Sequence, residues 1–228
     1  HLMFSFYALG ITNLLIEING PEVPIMDGSS KTFIDEILNN GLLNQKSKVS
    51  HLIIKKTFVV GDKDRFIRYE PTQTSSLEVD YALEYKDQFI KKQNFSSKDI
   101  QRNFLDIAHT RTFCHQEDLE KIFGMGLAKG GSLDNAIIIS GNKILNQGGL
   151  RCKNEFVKHK TLDCLGDLYL SNYFIKGKIT CSQGGHELTG RLLKKIFEDK
   201  KNYTDKSTDL AVNFKEKGPN PQEIQIVV

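Results

Sequence analysis

The sequence predicts an α+β protein, and three observations carry that reading. Residues 52–60, 65–70 and 76–85 read as successive strands, divided by turn signals at Gly61-Asp62-Lys63-Asp64 and Pro71-Thr72. Within the third run, Val79, Tyr81, Leu83 and Tyr85 recur with a period of two. The stretch Glu155 to Leu168 repeats at helical spacing instead, with Val157, Leu162, Cys164, Leu165 and Leu168 on one side. One strand-and-helix block precedes Asn44 and another follows it, as two α+β layers would require.

Taken in order, residues 1–10 are apolar and read as the remainder of a helix closed by Gly10. Asn13 to Asn19 runs apolar through Leu14, Leu15, Ile16 and Ile18, which suits a buried strand. After a turn-rich loop, Ser29 or Ser30 can cap a helix through Phe33, Ile34, Ile37 and Leu38 that stops at Gly41. The polar run Asn44 to Lys48 is the candidate linker. Beyond the strands, Ser96 and Asp99 suggest a capping box ahead of Ile100, Phe104 and Ile107. A short helix over 117–123, a strand over 136–139, the helix from Glu155, a strand over 174–181 and a helix over 188–197 complete the pattern. The segment 201–228 is polar with little periodicity and reads as a loosely held tail.

Composition sets outer limits on function. At 228 residues the chain can bury a sizeable core in one or two domains. The net charge of +3 is mild and the basic residues are interspersed with acidic ones, which argues against a nucleic-acid binder. Cys114, Cys152, Cys164 and Cys181 lie far apart, as reduced thiols of a cytoplasmic protein would. The apolar opening is too short to span a bilayer and lacks the flanks of a signal peptide. A start on His in mid-run reads as a piece of a longer protein.

The polar face of the 155–168 helix is the chemically informative feature. At about 100° per residue, His159, Lys160, Asp163 and Asp167 fall in a sector roughly 80° wide. An imidazole and a carboxylate one turn apart can reach a single divalent cation, or they can form an ordinary solvated face. His51, His109 and His115 sit at element ends and read as structural or solvated. His186 follows Gly184-Gly185 directly after a strand, where a side chain is readily presented to a ligand.

Several fragments then coincide in order and spacing: Asn19 to Ser29, Arg111-Thr112-Phe113, Gly130-Gly131-Ser132-Leu133-Asp134, Phe156 to Asp163 and Gly185-His186. Together they resemble the UDP-3-O-acyl-N-acetylglucosamine deacetylase family, the zinc amidases of lipid A synthesis in Gram-negative bacteria. The resemblance implies two two-layer α/β sandwich domains with facing helical layers, the first incomplete here. Residues 1–47 would be the second half of domain I and 48–200 domain II, with a strand-helix-strand insert around 113–150 forming an acyl passage. It implies zinc as cofactor, held by His1, His159 and Asp163. A general-base Glu would stand just before His1, outside this sequence. His186 oriented by Asp167 would act as electrophile or acid, Thr112 would meet the tetrahedral intermediate, and Lys160 would sit near substrate oxygens. Phe113 and Tyr85 would flank sugar and uracil, and Leu119, Ala128, Ser132, Ala136 and Ile138 would line the passage. The substrate would be a UDP-linked acylated glucosamine, with no nucleic-acid partner, no transmembrane segment and a monomeric state. The rival reading is a non-catalytic nucleotide-sugar or RNA-binding α+β module.

Overall fold

The computed structural model describes residues 1–45, 47–85, 89–124 and 130–208. Among the described residues, three sheets and six α-helices make up an α+β architecture. The largest sheet has the order β2 (Phe58–Gly61), β3 (Phe66–Glu70), β10 (Gly177–Ser182), β4 (Leu77–Leu83), β5 (Gln93–Ser97). β10 runs parallel to β4, and the other pairs are antiparallel. One face carries α5 (Glu155–Tyr169), packed on β4 and β5, and α6 (His186–Phe197), packed on β2 and β3. The alternating burial of β4 from Leu77 to Leu83 follows directly, since only one face meets those helices.

A second helical layer lies against the first. α1 (Leu2–Leu9) packs on α5 and on α2 (Lys31–Asn40). Its close approach to α5 depends on Gly166, where a Cβ would come 3.2 Å from the Phe4 backbone nitrogen. Gly10 ends α1 in the left-handed region at φ 70°, as its position predicts. Phe4, Leu162 and Leu165 are fully buried in the common core.

A smaller sheet holds β1 (Val49–Ile54) between β11 (Tyr203–Thr208) and β9 (Phe174–Ile175). The third joins β6 (Phe113–His115), β7 (Ile137–Ser140) and β8 (Lys143–Ile144). β6 and β7 are parallel, and α4 (Gln116–Gly124) follows β6, so these elements form a strand-helix-strand unit.

The structure departs from the sequence reading in several places. The single strand expected over 52–60 is divided between β1 and β2 in different sheets, because Lys55, Lys56 and Thr57 turn outward and interrupt it. The strand expected over 174–181 likewise divides into β9 and β10 at Lys176-Gly177. Asn13 to Asn19 forms no strand: Leu15 is 82% exposed, and no neighbouring strand among the described residues pairs with it. Ser96 does not cap a helix but sits in β5 opposite Asp80, and the helix that follows is only α3 (Leu105–Ala108). Residues 203–208 of the expected tail are ordered as β11, since pairing with β1 satisfies their backbone. No helix of the described residues is long and apolar enough to cross a membrane.

Candidate metal centre

α5 places His159 and Asp163 one turn apart, and His1, the N-cap residue of α1, stands beside them. His1 Nε2 lies 3.3 Å from His159 Nε2 and 3.7 Å from Asp163 Oδ1, and His159 Nε2 lies 3.5 Å from that oxygen. His159 is 1% exposed, so the solvated alternative for this face does not hold.

The protonation pattern shows what these atoms could offer a cation. Thr110's carbonyl can only accept, so His159 Nδ1, 2.9 Å away, carries the proton and donates it. Burial lowers the pKa of His159 and keeps the ring neutral, leaving Nε2 as a lone pair. Burial would raise Asp163, but neighbouring positive charge outweighs it and the net shift is downward, so the carboxylate stays ionised. Two acceptors then face each other across 3.5 Å. A tetrahedral ion with bonds of about 2.0–2.1 Å spaces its ligand atoms roughly 3.3–3.4 Å apart, which is close to the observed triangle. Two imidazoles and a carboxylate are the donor set for such an ion with a fourth position open.

Of the remaining predicted residues, Lys160, His186 and Phe113 lie beside this group. Lys160 Nζ donates to Asp163 Oδ2 at 3.2 Å, which leaves Oδ1 for the histidines. That charge and hydrogen bond overcome burial and raise the Lys160 pKa. His186 opens α6, and its Nδ1 donates to Asp167, whose hydrogen bond raises the imidazole pKa. Phe113 packs edge-on against Phe156 at 4.8 Å and lies 6.5 Å from the His159 ring, with Tyr85 6.1 Å away on its other side. Thr112 is tied to the Asp27–Ser30 loop through its backbone N–H, which donates to the Gly28 carbonyl at 2.8 Å. Leu119 is half-buried on α4, Ser132 is exposed in the loop before β7, and Ala136 and Ile138 are buried. Ala128 lies outside the described residues.

Sequence reasoning missed the scaffold that holds the group together. Ser30 Oγ donates to the His1 carbonyl at 2.8 Å, and Ser5 Oγ donates to the same oxygen at 3.0 Å. Ser30 N–H donates to Ala108 and Arg151 bridges Asp27 to the His109 carbonyl, so one loop ties α1 to the turn beneath His159. Glu155 is fully buried and pairs with Arg111. A Glu that opens a helix and is followed by buried residues is a signal for such a pair, but its partner lies 44 positions away.

Comparison with known proteins identifies the family. The family model described as UDP-3-O-acyl N-acetylglycosamine deacetylase matches residues 1–198. A UDP-3-O-acyl-N-acetylglucosamine deacetylase of Haemophilus ducreyi is 42% identical over 203 residues, covering 88% of this chain and 66% of the relative. Its counterpart in Aquifex aeolicus is 39% identical over 88% of this chain and 69% of its own length. That of Actinobacillus pleuropneumoniae is 35% identical over 99% and 72%. The chain thus spans about two thirds of the length of these relatives. With a matched family model over most of its length and with relatives above 30% identity, the chain belongs to the UDP-3-O-acyl-N-acetylglucosamine deacetylase family.

Proposed function

We propose that the chain carries the catalytic centre of a zinc-dependent hydrolase that removes the N-acetyl group from a UDP-3-O-acyl-N-acetylglucosamine. The observation that carries this reading is the triangle of His1, His159 and Asp163, three acceptor-capable atoms packed together beside a buried helix. A zinc ion there would supply Lewis-acid polarisation of the amide carbonyl and a water acidified towards pH 7. The amide C–N bond breaks, the water oxygen ends on the acetyl carbon, and the amine leaves with a proton.

The side chains divide the remaining work. His159 and Asp163 would hold the metal in the states that burial and neighbouring charge already impose, a neutral ring and an ionised carboxylate. His186 has Nδ1 committed to Asp167, so Nε2 is the atom that would stabilise the developing oxyanion or protonate the leaving nitrogen. A protonated ring suits either role, and Asp167 favours it. The Thr112 hydroxyl would donate to the tetrahedral carbon's oxygen, and Lys160 would complement substrate oxygens next to Asp163. Family resemblance assigns the base that takes the water proton to the position ahead of His1.

Phe113 and Tyr85 form an aromatic wall suited to the sugar and the uracil. Leu119, Ser132, Ala136 and Ile138 belong to the strand-helix-strand unit proposed to receive the acyl chain. A nucleotide-sugar or RNA-binding module without catalysis has no use for acceptors crowded at 3.3–3.7 Å on a buried face. The deciding experiment measures zinc content of the purified full-length enzyme and release of acetate from the UDP-linked substrate. Stoichiometric zinc and chelator-sensitive acetate release are expected; a metal-free protein indifferent to chelation would overturn the reading.

A further inference from the structure

We propose that Glu155 is a positioning residue for His159, acting through the peptide group between Thr110 and Arg111. The proposal rests on the reading of His159 as a metal ligand. Its basis is that both ends of one peptide unit are held by the same helix. The Thr110 carbonyl accepts from His159 Nδ1 at 2.9 Å, and the Arg111 N–H donates to Glu155 Oε1 at 3.0 Å. These two groups belong to a single planar amide, so neither can rotate without moving the other. Glu155 and His159 stand one turn apart on α5, and they grip the amide from its two sides.

The Glu155 carboxylate is built for this role. It is fully buried and also accepts from Arg111 Nε at 3.0 Å, Arg111 Nη2 at 3.3 Å and the Arg151 backbone N–H at 2.6 Å. Arg111 Nη2 is fixed from behind by the Gly149 carbonyl at 2.8 Å. A buried anion is thereby satisfied by four donor contacts, one of which is the amide in question. An anion hydrogen-bonded to the N–H end of an amide polarises it and strengthens its carbonyl as an acceptor. Glu155 therefore locks the His159 tautomer, and it makes Nε2 a better donor to a metal. Metal-bound histidines commonly contact a carboxylate directly for this purpose; here the carboxylate acts across one intervening peptide.

A simple buried ion pair would stabilise the fold without reaching the metal, and the test separates the two. In Glu155→Gln the charge that polarises the amide is lost, and the new NH2 faces donors at Arg151 N and Arg111 Nη2. Chelator competition on the full-length protein should then give a zinc dissociation constant roughly 10–100-fold weaker, the range for loss of an outer-shell partner. The His159 Nδ1–H resonance should shift as well. Arg111→Lys keeps the main-chain N–H on Glu155, so its zinc affinity should stay within about threefold of wild type while its melting temperature falls. A measurement on the wild type guards against variants that do not fold: removing zinc should move the Arg111 amide nitrogen resonance. Unchanged zinc affinity in Glu155→Gln, or an Arg111 resonance that ignores zinc, would overturn the proposal. A wild type that holds no zinc would instead sink the functional reading on which it rests.

Discussion

His186 Nδ1 lies 2.9 Å from both carboxylate oxygens of Asp167. The ring is 70% exposed, so burial alone would leave it free to rotate. The bifurcated contact to Asp167 fixes its orientation and turns Nε2 away from the helix.

Asp167→Asn tests that orientation. The hydrogen bond to Asp167 raises the His186 pKa, so its loss should move the basic limb of the kcat/KM profile to lower pH. Turnover at neutral pH should fall by about 10²-fold or more, as for loss of a general acid. A profile that does not move would remove Asp167 from this role.

The same pair makes a prediction about stability. His186 binds a proton more tightly in the folded chain than in the unfolded one, because its folded pKa is raised. Its contribution is fully present below about pH 6.5, the unfolded value, and is lost as pH rises through the folded pKa. The melting-temperature gap between wild type and Asp167→Asn should therefore be widest in mild acid and close in alkali. A gap that grew with pH would contradict the assignment.

Asp163→Ala should release the metal. Asp163 Oδ1 is the apex shared with both histidines, and its loss should weaken zinc more than the roughly 10–100-fold expected of an outer-shell change. Where zinc is present at 100 times its dissociation constant it adds about 2.7 kcal/mol to stability, so chelation should lower the wild-type melting temperature and leave the variant's unchanged. Calorimetry with and without chelator reads both.

Gly28→Ala should unfold the scaffold from a distance. Gly28 has φ 78°, and a Cβ there would fall 1.8 Å from the Asn135 carbonyl oxygen. The left-handed penalty is about 1–2 kcal/mol before the clash is counted, so urea unfolding should show a loss above about 3 kcal/mol. A neutral result would mean that the Asp27–Ser30 loop moves freely over the 130–136 turn.

How much of this was legible depended on the range of each interaction. α5 was readable almost to the residue, because its apolar stripe is unbroken and its His159–Asp163 pair is a local, one-turn spacing. His1 carries no periodic signal of its own; only the resemblance singled it out, because its partners are 158 positions away in sequence. Glu155 and Arg111 were missed for a related reason: a buried charge is recognised by its partner, and the partner is not local. Strand content was legible, but sheet membership was not. Nothing in the alternation of residues 52–60 tells that Leu52 pairs with β9 and β11 while Val60 pairs with β3. The apolar run at Leu14 to Ile18 shows the opposite failure, a strand-like composition without a partner strand among the described residues.

The pairing of β1 with β11 also has a temporal consequence. Val49 meets Thr208 and Ile54 meets Tyr203, so β1 waits for almost the whole described chain to be synthesised before that edge is covered. On a ribosome adding about 5–20 residues per second, the interval is on the order of ten seconds. Throughout that time β1 lacks its β11 partner, and an uncovered strand edge is a template on which another nascent chain can add. Chains cut short before Tyr203 would keep that edge permanently, and their failure would be aggregation rather than a loss of chemistry.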